Sequence, residues 1–124
     1  MNKIIFGLLL FSLSSCSQRE NNSDLQKAKS VIVVDSDSLL INSMMKQQKF
    51  NQVKTKIDSI MPLKPLNQQG YYYYQKGFSD LMLQNHKEAI SNFEQAVSLG
   101  FRIKASRAMI ITAKKMQETY AKYN

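Results

Sequence analysis

The side chains able to do chemistry are few and scattered. There is one cysteine, Cys16, and one histidine, His86. A lone thiol excludes an intramolecular disulfide and a multi-cysteine metal site. His86 precedes Lys87-Glu88 in what reads as a turn, where a solvated side chain is expected. Asp35 and Asp37 form a close acidic pair, which suits helix capping better than acid–base work. Serines are numerous, but none has a base and an orienting group nearby in sequence. Gly7, Gly70, Gly77 and Gly100 are too dispersed for a phosphate-cradling loop. The expectation is therefore a non-enzymatic protein with no cofactor and no metal. Two features remain to be placed: the thiol at Cys16 and the four consecutive tyrosines Tyr71 to Tyr74.

The elements around Cys16 give the thiol a context. Met1-Asn2-Lys3 carries one positive charge, and no acid occurs before Glu20. An apolar run, Ile4-Ile5-Phe6-Gly7-Leu8-Leu9-Leu10-Phe11, follows, then small residues at Ser12, Ser14 and Ser15. This is the layout of a secretory signal peptide. The run is too short to span a bilayer as a helix, which takes roughly 20 residues. Leu13-Ser14-Ser15-Cys16 resembles the lipobox of bacterial lipoproteins. The resemblance implies that residues 1–15 are removed and that Cys16 is lipidated, becoming the first residue of the mature chain. The alternative is a buried or free thiol behind an uncleaved anchor. Attached acyl chains contribute about 0.8 kcal/mol per buried methylene, so two or three chains anchor stably. Ser17, rather than Asp, after the cysteine resembles outer-membrane lipoproteins. The expected place is thus the cell envelope, periplasm-facing, and the outer membrane over the inner.

Residues 16–34 read as the lipidated end and a flexible tether. Ser17 to Ser30 is polar and lacks aromatics, so it cannot bury enough surface to order itself. At about 5–6 Å times the square root of its length, it holds a domain roughly 20 Å from the anchor. Val31-Ile32-Val33-Val34 is too short to classify.

The formal net charge is +8. A basic balance often points to nucleic acid, but export argues against that partner. Anionic lipid headgroups, an acidic envelope polymer or an acidic protein fit better. Lys104, Arg107, Lys114, Lys115 and Lys122 face only Glu118 within residues 104–124, a net of +4. Solvation of the outer face of a last helix is the plain reading of that cluster, and a basic binding surface is the other.

From residue 35 to 124 helical spacing dominates, and no segment alternates at period two. The fold class expected is all-α. Asp35-Ser36-Asp37 offers caps for a first helix carrying Leu39, Leu40, Met44 and Met45. A second, about Asn51 to Met61, places Val53, Ile57 and Ile60 on one stripe, and Pro62 and Pro65 close it. A third runs from Tyr71 to Leu83. Asn85 with Glu88 three residues later reads as a capping-box variant opening a fourth helix, which stops at Gly100. A fifth, about Arg102 to Lys122, has Ala105, Met109, Thr112, Met116, Tyr120 and Tyr123 spaced by three and four.

Residues 70–103 resemble a tetratricopeptide repeat. Tyr73 stands for the pattern's Trp, Gly77 for its Gly, Ala89 for its Ala and Phe93 for the next aromatic, and Ala96 fills the small position beyond. Lys76, Asp80 and Phe101 depart from the pattern. Phe50, Val53, Ile57 and Ile60 parallel His86, Ala89, Phe93 and Ala96 at an offset of 36, two more than the family period. Ile41 falls where Gly77 falls. The resemblance implies about two helical-hairpin repeats and a C-terminal capping helix.

By the same resemblance, Tyr71, Tyr74, Phe78 and Met82, with Asn42 from the first helix, would line a concave groove that takes a peptide segment or a partner helix. Tyrosine suits such an interface, with contact area and a polar handle. The alternative is that these rings are core. One subtype clamps acidic carboxyl-terminal tails with Lys, Asn and Arg, but only Asn42 fits that set. Ser38, Gln75, Ala105 and Met109 occupy the other positions. The leading expectation is an envelope adaptor binding another protein. The others are binding of anionic lipid or an acidic polymer, and an accessory subunit held permanently in an envelope complex.

Overall fold

The computed structural model describes residues 34–124. The expected leader, Cys16 and nearly all of the expected tether lie outside the described residues. Five helices follow in order: α1 (Ser36–Lys46), α2 (Phe50–Ile60), α3 (Leu66–Met82), α4 (His86–Ser98) and α5 (Ile103–Tyr123), with a 3-10 turn at Met61–Leu63. No strand occurs among the described residues, and the all-α class holds. Each helix packs on its neighbour in the chain, α4 most extensively on α3 and α5.

α1 opens on a complete capping box. Asp35 Oδ1 accepts from the Ser38 N–H at 2.8 Å, and Ser38 Oγ accepts from the Asp35 N–H at 3.0 Å. These bonds satisfy two helix-terminal donors reciprocally and explain why Ser38 is buried. The packing face of α1 runs through Ser38 and Ile41, with Met44 and Met45 half-buried. Leu39 and Leu40, expected on that face, are exposed instead.

Three helices end alike. Gln48, Gln84 and Gly100 adopt left-handed backbone, with φ of 58°, 64° and 74°. In each case the following N–H reaches back five residues: Lys49 to Met44 O, Asn85 to Asp80 O, Phe101 to Ala96 O. This is the Schellman stop, which satisfies the last carbonyls of a helix. Gln48 and Gln84 lie 36 positions apart, as do Phe50 and His86, which begin α2 and α4. The offset read from side-chain pattern is thus also the offset of the two interhelix turns.

α3 begins at Leu66, five residues before the expected Tyr71. Pro65 precedes the first turn with φ already at −58°, a position where a missing N–H costs nothing. Gly70 is consequently inside the helix. A Cβ there would stand 2.6 Å from Phe101 Cβ, so the backbone of α3 is open at the point where Phe101 arrives.

The core has two clusters. One joins Ile41, Val53, Ile57, Ile60, Met61, Tyr71, Tyr72 and Phe101. The other joins Leu81, Ala89, Phe93 and Ala113. Tyr74 packs against both. Fully burying side chains of this size stabilises by roughly 1.5–3 kcal/mol each.

Candidate functional site

Of the residues expected to pack the helical hairpin, Gly77 meets Phe93 across α3 and α4. Ala89, Phe93 and Ala96 are fully buried on α4. A Cβ on Gly77 would stand 3.1 Å from two atoms of the Phe93 ring. The glycine lets the ring lie against the α3 backbone.

The aromatic stripe of α3 is closed for most of its length, which corrects the expected groove at Tyr71. That ring is buried, edge-on to Phe101 with centroids 5.9 Å apart, and its hydroxyl donates to Asn42 Oδ1 at 2.8 Å. Burial pushes the Tyr71 phenol from 10.0 up to about 12, with help from the nearby Tyr72 and Asp35. Asn42 is exposed and serves as the acceptor for this core hydroxyl. Tyr74 stacks edge-on to Phe93 and Phe101, and the Arg102 guanidinium lies 5.7 Å from its ring centroid. Phe78 packs half-buried against the second cluster. Of the stripe, only Met82 is exposed. Phe101, which follows the α4 stop, turns back over α3 against Tyr71 and Tyr74.

Two polar clusters were not anticipated. Asp80 has no exposure, yet it is ionically paired to Lys54 at 2.6 Å and accepts from Asn92 Nδ2 at 2.8 Å and Asn85 Nδ2 at 3.3 Å. The Asn85 side chain is therefore engaged with Asp80 and does not cap α4, so the expected capping box is absent. The available signal was an acid three residues after Gly77, in the buried register. Near the start of α1, Lys64 bridges Asp35 at 2.7 Å and Asp37 at 2.9 Å. The Lys64 hydrogen bond holds the Asp35 carboxyl below its ordinary 3.8, and the Ser38 N–H adds to this. The acidic pair thus caps and braces α1, as its residue types suggested.

His86 is buried, where solvent exposure was expected. Its ring lies 5.9 Å from that of Tyr120, so the C-terminal half of α5 reaches the N-terminus of α4. Among the described residues no cluster of His, Cys, Asp and Glu has metal-binding geometry, and no helix is long and apolar enough to cross a membrane.

Among the described residues α5 carries five exposed large apolar side chains, Ile103, Ile111, Met116, Tyr120 and Tyr123, more than any other helix. Its packed face is Ser106 and Ala113, with Met109 and Ile110 half-buried. Of the stripe expected from spacing, Met109 lies half-buried on that face, while Ala105, Thr112, Met116, Tyr120 and Tyr123 are exposed, Tyr120 to 52%. A cleft of about 370 Å³ opens there, lined by Gln84 and His86 on one side and Met116, Thr119, Tyr120 and Tyr123 on the other. Lys104, Arg107, Lys114, Lys115 and Lys122 are all exposed. Among the described residues none of these five makes a salt bridge.

No protein-family model, no curated protein and no solved structure matches this chain.

Proposed function

We propose that this chain is a lipid-anchored adaptor of the cell envelope, a tetratricopeptide-like helical domain that binds another envelope protein and performs no catalysis. Cys16, placed where an apolar leader meets small residues, supplies the anchor, and the domain faces the periplasm, from the outer membrane over the inner. The helical hairpins repeated at 36 residues support the tetratricopeptide-like reading. The observation that carries the adaptor role is the second apolar face of α5. Met116, Tyr120 and Tyr123 remain exposed beside a formed cleft, and contiguous apolar surface of this kind marks interaction sites.

The test is photocrosslinking in intact cells, with the crosslinker at Met116 or at Met82. A discrete protein adduct is expected at Met116, and it should be lost together with membrane fractionation in Cys16→Ser. No adduct at either position, or one indifferent to the anchor, overturns the reading. Adducts at Met82 alone would return the role to the α3 stripe.

The basic side of α5 supports a second reading, docking on anionic lipid or an acidic envelope polymer. At about 100° per residue, Lys104, Arg107, Lys114, Lys115 and Lys122 fall on the side of α5 away from α4, around the exposed Ile111. Such attraction weakens steeply with salt. Binding of the chain to anionic vesicles that is unchanged between low and physiological salt would overturn it.

A further inference from the structure

We infer that the open face of α5 is a seat for an amphipathic partner helix whose apolar stripe is flanked by acidic residues. The inference rests on the adaptor reading and names the partner's chemistry. A solvated helix needs one apolar stripe; α5 has two. Ser106, Ile110 and Ala113 are spaced for packing on α4 and are used for it. Met116, Tyr120 and Tyr123, spaced by four and three, form a second, exposed stripe over the last two turns of the helix, beyond Met109, which packs on the core. Spacing of this kind is the pattern that meets another helix, ridges into grooves.

The cleft gives that stripe a wall. Gln84 and the edge of the buried His86 line one side, so the surface is concave there. A cleft walled on one side fits a convex helix better than a flat bilayer. The opposite edge is basic. At about 100° per residue, Lys104, Lys115 and Lys122 fall within about 20° of one another around the helix axis. They form a row beside the stripe, and Lys115 also lines the cleft. Glu118 is the only acid on α5.

This charge decides between occupants. A second copy of the chain would bring the same lysine row and a strongly basic balance to the contact, and like charges set together oppose association. A helix with Glu or Asp beside its apolar stripe meets the row with complementary sign. Tyr120 and Tyr123 provide rings with polar tips of the kind that anchor interfaces.

The probes are two synthetic helical peptides of about 16 residues, alike in a leucine stripe at three-four spacing. One is flanked by Glu, the other by Lys. Fluorescence anisotropy of the labelled peptides with the full chain should show the Glu peptide binding at least 10-fold tighter than the Lys peptide. Met116→Ser/Tyr120→Ser should weaken it at least 10-fold with an unchanged circular dichroism spectrum. Lys115→Glu/Lys122→Glu, which leaves the apolar stripe intact, should reverse the preference between peptides. Equal binding of both peptides, or binding indifferent to the serine pair, overturns the inference. So does a dimer in sedimentation that the serine pair dissolves, which would make the occupant a second copy. If these tests fail while the crosslinked adduct in cells persists, the adaptor reading stands and only the partner's chemistry is wrong.

Discussion

Lys54 Nζ stands 2.6 Å from Oδ1 of Asp80, a carboxylate with no exposure to solvent. This pair ties α2 to α3, and Asn92 on α4 donates to the same carboxylate. Removing one partner leaves a buried charge without its counterion. Lys54→Met is expected to destabilise by on the order of 3 kcal/mol. The double variant Lys54→Met/Asp80→Leu should recover a large part of that, because apolar replacement of a whole buried pair is often neutral. Urea denaturation of the wild type, both single variants and the double variant gives the coupling directly. Additive losses would show that the pair does not act as a unit.

The two helical glycines of α3 should respond unequally to alanine. At Gly70 the obstacle is Phe101 Cβ at 2.6 Å, the root of a side chain that cannot swing aside. At Gly77 it is the edge of the Phe93 ring at 3.1 Å. Alanine gains about 1 kcal/mol of helix propensity at either site. Overpacking costs about 1–3 kcal/mol, and the backbone-rooted clash lies at the upper end. Gly70→Ala is expected to destabilise by about 2 kcal/mol and Gly77→Ala by less than about 1, measured by denaturant midpoint. The reverse order would contradict the packing described.

The left-handed ends of α1 and α3 carry glutamine where α4 carries glycine. A side chain in this conformation costs about 1 kcal/mol or more, and glycine avoids that cost. Gln48→Gly should therefore raise stability by roughly 1 kcal/mol, and Gly100→Ala should lower it by a similar amount. Thermal unfolding followed by circular dichroism reads both. A destabilised Gln48→Gly would mean that the glutamine side chain makes a contact worth more than the backbone strain.

What could be read from the sequence was local. The α2 stripe of Val53, Ile57 and Ile60, the Asp35 cap, the Gly100 stop and the 36-residue offset all follow from spacing and turn chemistry within a few residues. What could not be read depended on distant partners. Asn85 has the right type for a cap, but Asp80 takes its side chain. Tyr71 looked available because nothing nearby covers it, and Phe101 arrives from 30 residues away. His86 is buried by Tyr120, 34 residues on. Periodicity on α5 could not tell that Met109 packs on the core while Met116, Tyr120 and Tyr123, on the same spacing, stay exposed.

Alkaline pH separates the two buried tyrosines of the first core cluster. The Tyr71 phenol ionises near 10.0 in an unfolded chain and only at about 12 in the fold, chiefly because burial disfavours the phenolate. Burial raises Tyr72 in the same direction. A group whose folded value is raised contributes stability that is fully present below its unfolded value and lost as pH rises through its folded value. Stability should therefore hold up to pH 10 and decline between 10 and about 12. In Tyr71→Phe the hydrogen bond to Asn42 is gone, which should cost about 1 kcal/mol at neutral pH. The decline above pH 10 should nevertheless be shallower, because one raised phenol has been removed. Tyr72→Phe removes a buried hydroxyl that has no hydrogen-bond partner among the described residues. It should be nearly neutral at pH 7 and should flatten the same alkaline limb. Denaturant unfolding at a series of pH values reads all three chains. If Tyr71→Phe lost stability between pH 10 and 12 as steeply as the wild type, Tyr71 would not be the group whose ionisation opens the core.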